Sequence, residues 1–238
     1  MASLKKKKKR KREEMERPDT LDYQEALKDP AWDNERRWAD EIMVSNRRLG
    51  LGLLKLDELT KGEGSCFMIA VVQQLRTKEI FDNLGEDLKQ VARTMAHYLL
   101  RVKVKDFIIL KRNDQKVLAL KELFNIDQAA VGEETKTWEE YWETMLIDNV
   151  WADGYFIRAT AWYLHMDIQI MDTKCREDEP YYTIDGNFSG EGCTYILYIG
   201  YVSGVHYQSL LVDYDLEFEV IDHSMEDEDE LEKLDNSG

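Results

Sequence analysis

The chain is poor in cysteine and has neither a long apolar run nor a phosphate loop, and each absence removes a class of function. Three cysteines stand among 238 residues, at positions 66, 175 and 193. An odd count at wide spacing argues against a disulfide framework, and Cys175 and Cys193 lack the paired spacing of a zinc site. No stretch approaches the roughly 18 apolar residues of a membrane span, and no signal peptide is recognisable. Glycine-rich phosphate loops of the Walker or Rossmann type are missing, and no internal repeat is visible. The expectation is an intracellular protein of a reducing compartment. Its one sizeable domain needs no metal, disulfide or other cofactor for support.

Acidic residues are absent from the first twelve positions, which hold eight of the 32 lysines and arginines. The rest of the chain carries 24 basic against 48 acidic residues, a formal −24. Such a body does not suit nucleic-acid binding, which neutralises phosphate, and would suit a basic partner; solubility alone also accounts for it. The basic run at 5–12 fits a solvated tail, a nuclear-import signal, or a nucleic-acid or membrane contact, so the location is read as cytoplasmic, nuclear or both. From His223 onward, seven acids and one lysine in sixteen residues make a tail too polar to pack. The domain reading is a basic tail at 1–31, one folded domain at 32–222 and an acidic tail at 223–238.

Within the domain, helical periodicity comes first. A helix is expected from Asp33 through Trp38, Ile42 and Val44, ended by Gly50 and Gly52. A short extended segment follows at 53–56. The apolar run Phe67, Met68, Ile69, Ala70, Val71, Val72 reads as a buried helix with Cys66 in its first turn. One amphipathic helix is expected over 86–103 and another over 138–149, where Thr137 and Glu140 have capping-box spacing. Residues 111–135 resist assignment. Residues 155–165 read as a further buried helix after the turn at 151–154, with Asp153 in the turn or capping the helix. Strands are expected at 167–172, 181–184, 194–202 and 205–212. Helices before strands indicate an α+β domain with a mainly antiparallel sheet. Trp138, Trp142, Trp151 and Trp162 fall at helical spacings and are assigned to the core.

Cys66 follows Gly62-Glu63-Gly64-Ser65, a turn that opens a helix. A helix N-terminus offers free N–H groups and partial positive charge, which favour a thiolate and lower a thiol pKa. The same N–H groups, from Gly62 to Cys66, are candidate oxyanion donors. A thiol nucleophile also needs a base. Of four histidines, His97 falls inside a predicted helix, His165 ends one, and His223 enters the acidic tail. His206 begins a strand after a glycine-containing turn, where it can reach another element; a purely structural role is also open to it.

Three separated segments resemble the ovarian-tumour (OTU) family of cysteine deubiquitinases. Gly62-Glu63-Gly64-Ser65-Cys66-Phe67, with Ala70, Val71, Gln74 and Leu75, is similar to that family's Asp-Gly-x-Cys-Leu/Phe motif and helix. Trp151-Ala152-Asp153-Gly154 with Ile157, Ala159 and Ala161, followed by Asp167-Ile168-Gln169-Ile170, resembles its segment leading into a central strand. Ile199-Gly200-Tyr201 through His206-Tyr207 resembles its His-Tyr motif. All three stand in the family's order over about residues 50–215. The resemblance implies a papain-like OTU fold, a sheet between helical layers, with Cys66 as nucleophile and His206 as base. It departs twice: Glu63 stands where the family has Asp, and Gln208 where it often has Asn or Asp to orient the imidazole. Either is a candidate third catalytic group. The implied activity is a thiol protease that hydrolyses the isopeptide bond after the C-terminal glycine of ubiquitin or a ubiquitin-like protein. The alternative is a catalytically weak or inactive ubiquitin-binding module.

Overall fold

The computed structural model describes residues 18–51, 54–56, 58–131 and 136–212. The basic run at 5–12 and the acidic segment from 223 lie outside the described residues. Strand β1 (Thr20–Asp22) pairs antiparallel with β3 (Glu58–Thr60), Leu21 opposite Leu59. Between them come α1 (Tyr23–Ala26), α2 (Asp33–Arg48) and β2 (Leu54–Lys55). Residues 18–31, expected to belong to the tail, are therefore part of the packed unit. Asp22 caps α1 by accepting from the amides of Gln24 and Glu25, and Asp29 caps the short 3-10 turn Pro30–Trp32. Ala26 and Trp32 are buried with Leu59. The polar residues that make this stretch look unpacked are its helix caps.

Helix α3 (Cys66–Leu75) follows β3. It leads to α4 (Lys78–Phe81), α5 (Glu86–Thr94), α6 (His97–Leu110), α7 (Gln115–Val131), α8 (Trp138–Thr144) and α9 (Gly154–Leu164). The single helix expected over 86–103 is broken at Met95, which takes a left-handed conformation at φ 51°. The Ala96 amide bonds back to the Val91 carbonyl there, the closure of a Schellman turn. The amphipathic pattern runs through the break, so periodicity does not reveal it. The apolar run at 107–110 completes α6, and α7 fills most of the stretch that resisted assignment. Helix α8 is shorter than expected but carries the Thr137–Glu140 capping box. Asp153 caps α9, accepting from the amides of Tyr155 and Phe156.

Strands β4 (Asp167–Asp172), β5 (Tyr182–Ile184), β6 (Ile196–Val202) and β7 (His206–Val212) join β2 in one sheet of order β2-β7-β6-β4-β5. Every neighbouring pair is antiparallel except β4 with β6. The fold is α+β, with helical layers on both faces. On one side α3 is buried along its whole length and packs with α5, α6, α8 and α9. On the other, Ile42 of α2 and Leu49 just after it pack against Met171, Val202 and Leu210. The close approach uses Gly200, where a Cβ would come within 2.6 Å of Ile42. Trp138, Trp142 and Trp162 are buried as expected, while Trp151 is 40 % exposed. Among the described residues no helix is long and apolar enough to cross a membrane.

Candidate active site

Cys66 is the first residue of α3, and Ser65 before it makes no side-chain cap to that helix. Across from it begins β7, whose Tyr207 amide donates to Cys66 Sγ at 3.4 Å. The residue following His206 therefore rests on the thiol, which brings the two sequence candidates to one place. The site is closed: Cys66 is 1 % and His206 0 % exposed.

Burial decides the protonation states. Desolvation pushes the Cys66 thiol up to about 11, against amides of Tyr207, Phe67 and Cys66 itself and the positive charge of Arg101, which all favour the thiolate. The helix-terminus effect expected from sequence is thus present but outweighed by loss of water. Desolvation likewise takes His206 down to about 4, with Gln208 opposing weakly. In the closed site burial works against both the thiolate and the imidazolium.

The expected third groups turn elsewhere. Glu63 pairs with the Lys61 ammonium at 3.4 Å. The Gln208 amide oxygen accepts from Thr60 N–H at 2.9 Å, and its nitrogen donates to the carbonyls of Glu58 and Ser209. Gln208 thus clamps β3 onto β7. No hydrogen bond of ordinary geometry joins it to the imidazole, and both ring nitrogens lack partners among the described residues. What does touch the ring is Trp38 of α2, stacked on it with centroids 4.9 Å apart and planes at 28°.

The nucleophile loop is held by a group that the sequence reading passed over. Arg101 on α6 is fully buried. Its guanidinium donates to the carbonyls of Met145, Val150 and Gly64 and, at 3.4 Å, to Ser65 Oγ. Phe156 lies under it. Ser65 Oγ donates to Asp148 at 2.8 Å. Asp148 also meets His97, whose other nitrogen contacts Asp19 at 3.1 Å. Burial disfavours the His97 cation, but the hydrogen bonds and charges of Asp19 and Asp148 outweigh it and raise its pKa. Gly64 is required by close approach, since a Cβ there would fall 1.8 Å from the Asn149 carbonyl oxygen. The sequence held no distinctive signal for Arg101, which is one of three cations in Arg101-Val102-Lys103-Val104-Lys105.

Of the expected oxyanion donors, the amides of Gly62, Glu63 and Cys66 are engaged by Glu35 Oε1 and by the carbonyls of Lys61 and Glu63. Those of Gly64 and Ser65 make no hydrogen bond among the described residues. Away from this site, Asp167, Asp185 and Cys193 bring their ligand atoms within 4.8 Å of one another. Their geometry is that of a loop clasp: Asp167 accepts from Gly186 N–H and Asp185 from Asn187 N–H. Cys193 keeps its proton, pushed up to about 12 by burial and by Asp167. A cavity of about 1010 Å³ lies at the far end of α3, lined by Lys55, Gln74, Thr77, Ile80, Tyr198 and Leu211. A ten-residue helix is about 15 Å long, so this cavity is remote from Cys66.

No curated protein sequence matches this chain. Among solved structures, the OTU domain of OTUD1 is similar at 14 % identity, covering 73 % of this chain and 96 % of that one, with a TM-score of 0.42. The family model described as OTU-like cysteine protease matches residues 61–207. That span runs from the turn before Cys66 to the residue after His206, and it is more than half of the sequence; the chain belongs to the OTU-like cysteine protease family.

Proposed function

We propose that this chain is a thiol isopeptidase that releases ubiquitin or a ubiquitin-like protein from its conjugates. The observation that carries the reading is the hydrogen bond from Tyr207 N–H to Cys66 Sγ, which seats the start of the His206 strand on a cysteine at a helix N-terminus. The resemblance implies a substrate tail ending in Gly-Gly after basic residues, which suits the acidic body of the chain.

In the proposed reaction the Cys66 proton passes to His206 as sulfur attacks the carbonyl of the terminal glycine. The amides of Gly64 and Ser65 are the donors available to the oxyanion. His206 returns its proton to the departing lysine amine, leaving a thioester. Water then attacks the thioester carbonyl and gives a proton to His206, which hands it to the departing thiolate; the released C-terminal carboxylic acid loses its proton to solvent. Glu63 and Gln208, bound to Lys61 and to β3, support the loop and the strand in this scheme and do not orient the imidazole.

A second reading, a catalytically weak or inactive ubiquitin-binding module, is favoured by one observation: the thiol and the imidazole are both buried, which disfavours their charged forms. A ubiquitin carrying a thiol-reactive group at its C-terminus decides between them. Covalent capture by the wild type that disappears in Cys66→Ala supports the isopeptidase. Binding without capture supports the module, and neither binding nor capture directs the same test to ubiquitin-like tails.

A further inference from the structure

A cysteine–histidine pair needs the imidazole held in one plane and its cation stabilised once it has taken the thiol proton. In this chain the polar side chains of the neighbouring segments are engaged elsewhere. Gln208 bridges to Glu58 and Thr60. Glu63 is paired with Lys61, and Glu35 accepts from Gly62 N–H. Asp172, near the other end of the turn before His206, accepts from Lys174 N–H and Ser203 Oγ. Among the described residues the ring nitrogens have no hydrogen-bond partner of ordinary geometry, yet the ring is fully enclosed.

Trp38 is placed for the task. It stacks on the imidazole at 4.9 Å, within the 6 Å over which an indole face attracts a cation. Its position is built into three elements. Helix α2 is anchored by buried Trp32, Ala39 and Ile42 on either side of it. Glu35, one turn earlier, holds the Gly62 amide at 3.1 Å. Gly62 has no side chain, and a Cβ there would fall 2.4 Å from Trp38 Cζ3. The first glycine of the nucleophile loop is therefore the space that the indole occupies.

We propose that Trp38 is the positioning residue of this site: its indole face takes the place of a polar third group, fixing the plane of His206 and stabilising the imidazolium. This rests on the reading of Cys66 and His206 as nucleophile and base, but not on the identity of the substrate. The face is supplied by π density, so a phenyl ring replaces it in part and an aliphatic chain does not.

The test is the pH dependence of Cys66 alkylation by chloroacetamide in the full chain, for wild type, Trp38→Phe, Trp38→Leu and His206→Ala. Loss of the indole face weakens the thiolate–imidazolium pair, so in Trp38→Leu the alkylation midpoint moves to higher pH and turnover falls about 30-fold. In Trp38→Phe the midpoint stays near that of wild type. Gly62→Ala, which leaves Trp38 in the chain but pushes its ring aside, shifts the midpoint in the same direction; it also serves if Trp38→Leu fails to fold. A merely structural role lowers stability without moving the midpoint. The proposal is overturned if folded Trp38→Leu or Gly62→Ala alkylates with the wild-type midpoint, or if Trp38→Phe shifts as far as Trp38→Leu. A wild-type midpoint unchanged in His206→Ala would instead remove the base from the underlying reading. Failure of ubiquitin capture with these shifts intact would remove only the substrate.

Discussion

The two halves of the site are held by different forces. On the cysteine side, Gly64 and Ser65 are tied by Arg101, Asp148 and His97 into a hydrogen-bonded network that leaves the Gly64 and Ser65 amides open. On the histidine side, the imidazole makes no hydrogen bond of ordinary geometry among the described residues and is packed against an indole. Hydrogen bonds fix direction and distance, which a loop presenting a nucleophile and oxyanion donors needs. A stack fixes a plane but leaves both nitrogens free to exchange protons. The first arrangement suits a fixed frame and the second a proton carrier.

Arg101→Leu breaks this contrast most severely. It strips donors from the carbonyls of Met145, Val150 and Gly64 while leaving them wholly or partly buried, at about 1–3 kcal/mol for each unsatisfied group. We expect a loss on the order of 4 kcal/mol in urea unfolding, with capture by the ubiquitin probe lost as well. Arg101→Lys should recover little, because one ammonium cannot span acceptors that a planar guanidinium reaches.

Acid should act on the other half. His206 is taken down to about 4 in the folded chain, so unfolded protein binds its proton first. Stability from this residue is complete above about pH 6.5 and is lost as pH falls towards 4, by about 3 kcal/mol. Unfolding measured across that range should show a shallower acid limb in His206→Leu. His97 works in the opposite sense: with its pKa raised, its contribution is present at low pH and fades as pH rises through the folded value.

Gln208→Leu sharpens the comparison. Removing the clamp on Thr60 and Glu58 should cost about 1–3 kcal/mol in unfolding, yet leave the pH midpoint of Cys66 alkylation where it is in wild type. A shifted midpoint would return Gln208 to the role of imidazole partner. The smallest effect is expected from Glu63→Gln. Its pairing with Lys61 is partly solvated, so stability should change by less than about 1 kcal/mol. A turnover loss much larger than that would show that the charge acts in catalysis.

Much of the fold was legible because burial and periodicity coincide in it. Strand β4 matches its expected bounds, β5 to β7 begin within two residues of theirs, and α2 and α3 start where the apolar periods do. The break at Met95 was hidden because both helices bury residues on one continuing stripe. Residues 18–31 read as tail because their aspartates, which cap turns against β3, are indistinguishable from solvated charge until the partner strand is known.

Local sequence determined that Cys66 opens a helix, that His206 opens a strand, and that glycines stand where backbones meet. These follow from residue-by-residue preferences and from a motif only a few residues long. Tertiary structure alone decided which groups surround them. Gln208 went to β3, Glu63 to Lys61, Arg101 to the nucleophile loop and Trp38 to the imidazole. Those pairings join residues up to 168 positions apart, Trp38 with His206 being the longest. The protonation states follow from the same packing. A helix terminus and a histidine in water would favour an ion pair, and the exclusion of water reverses that preference.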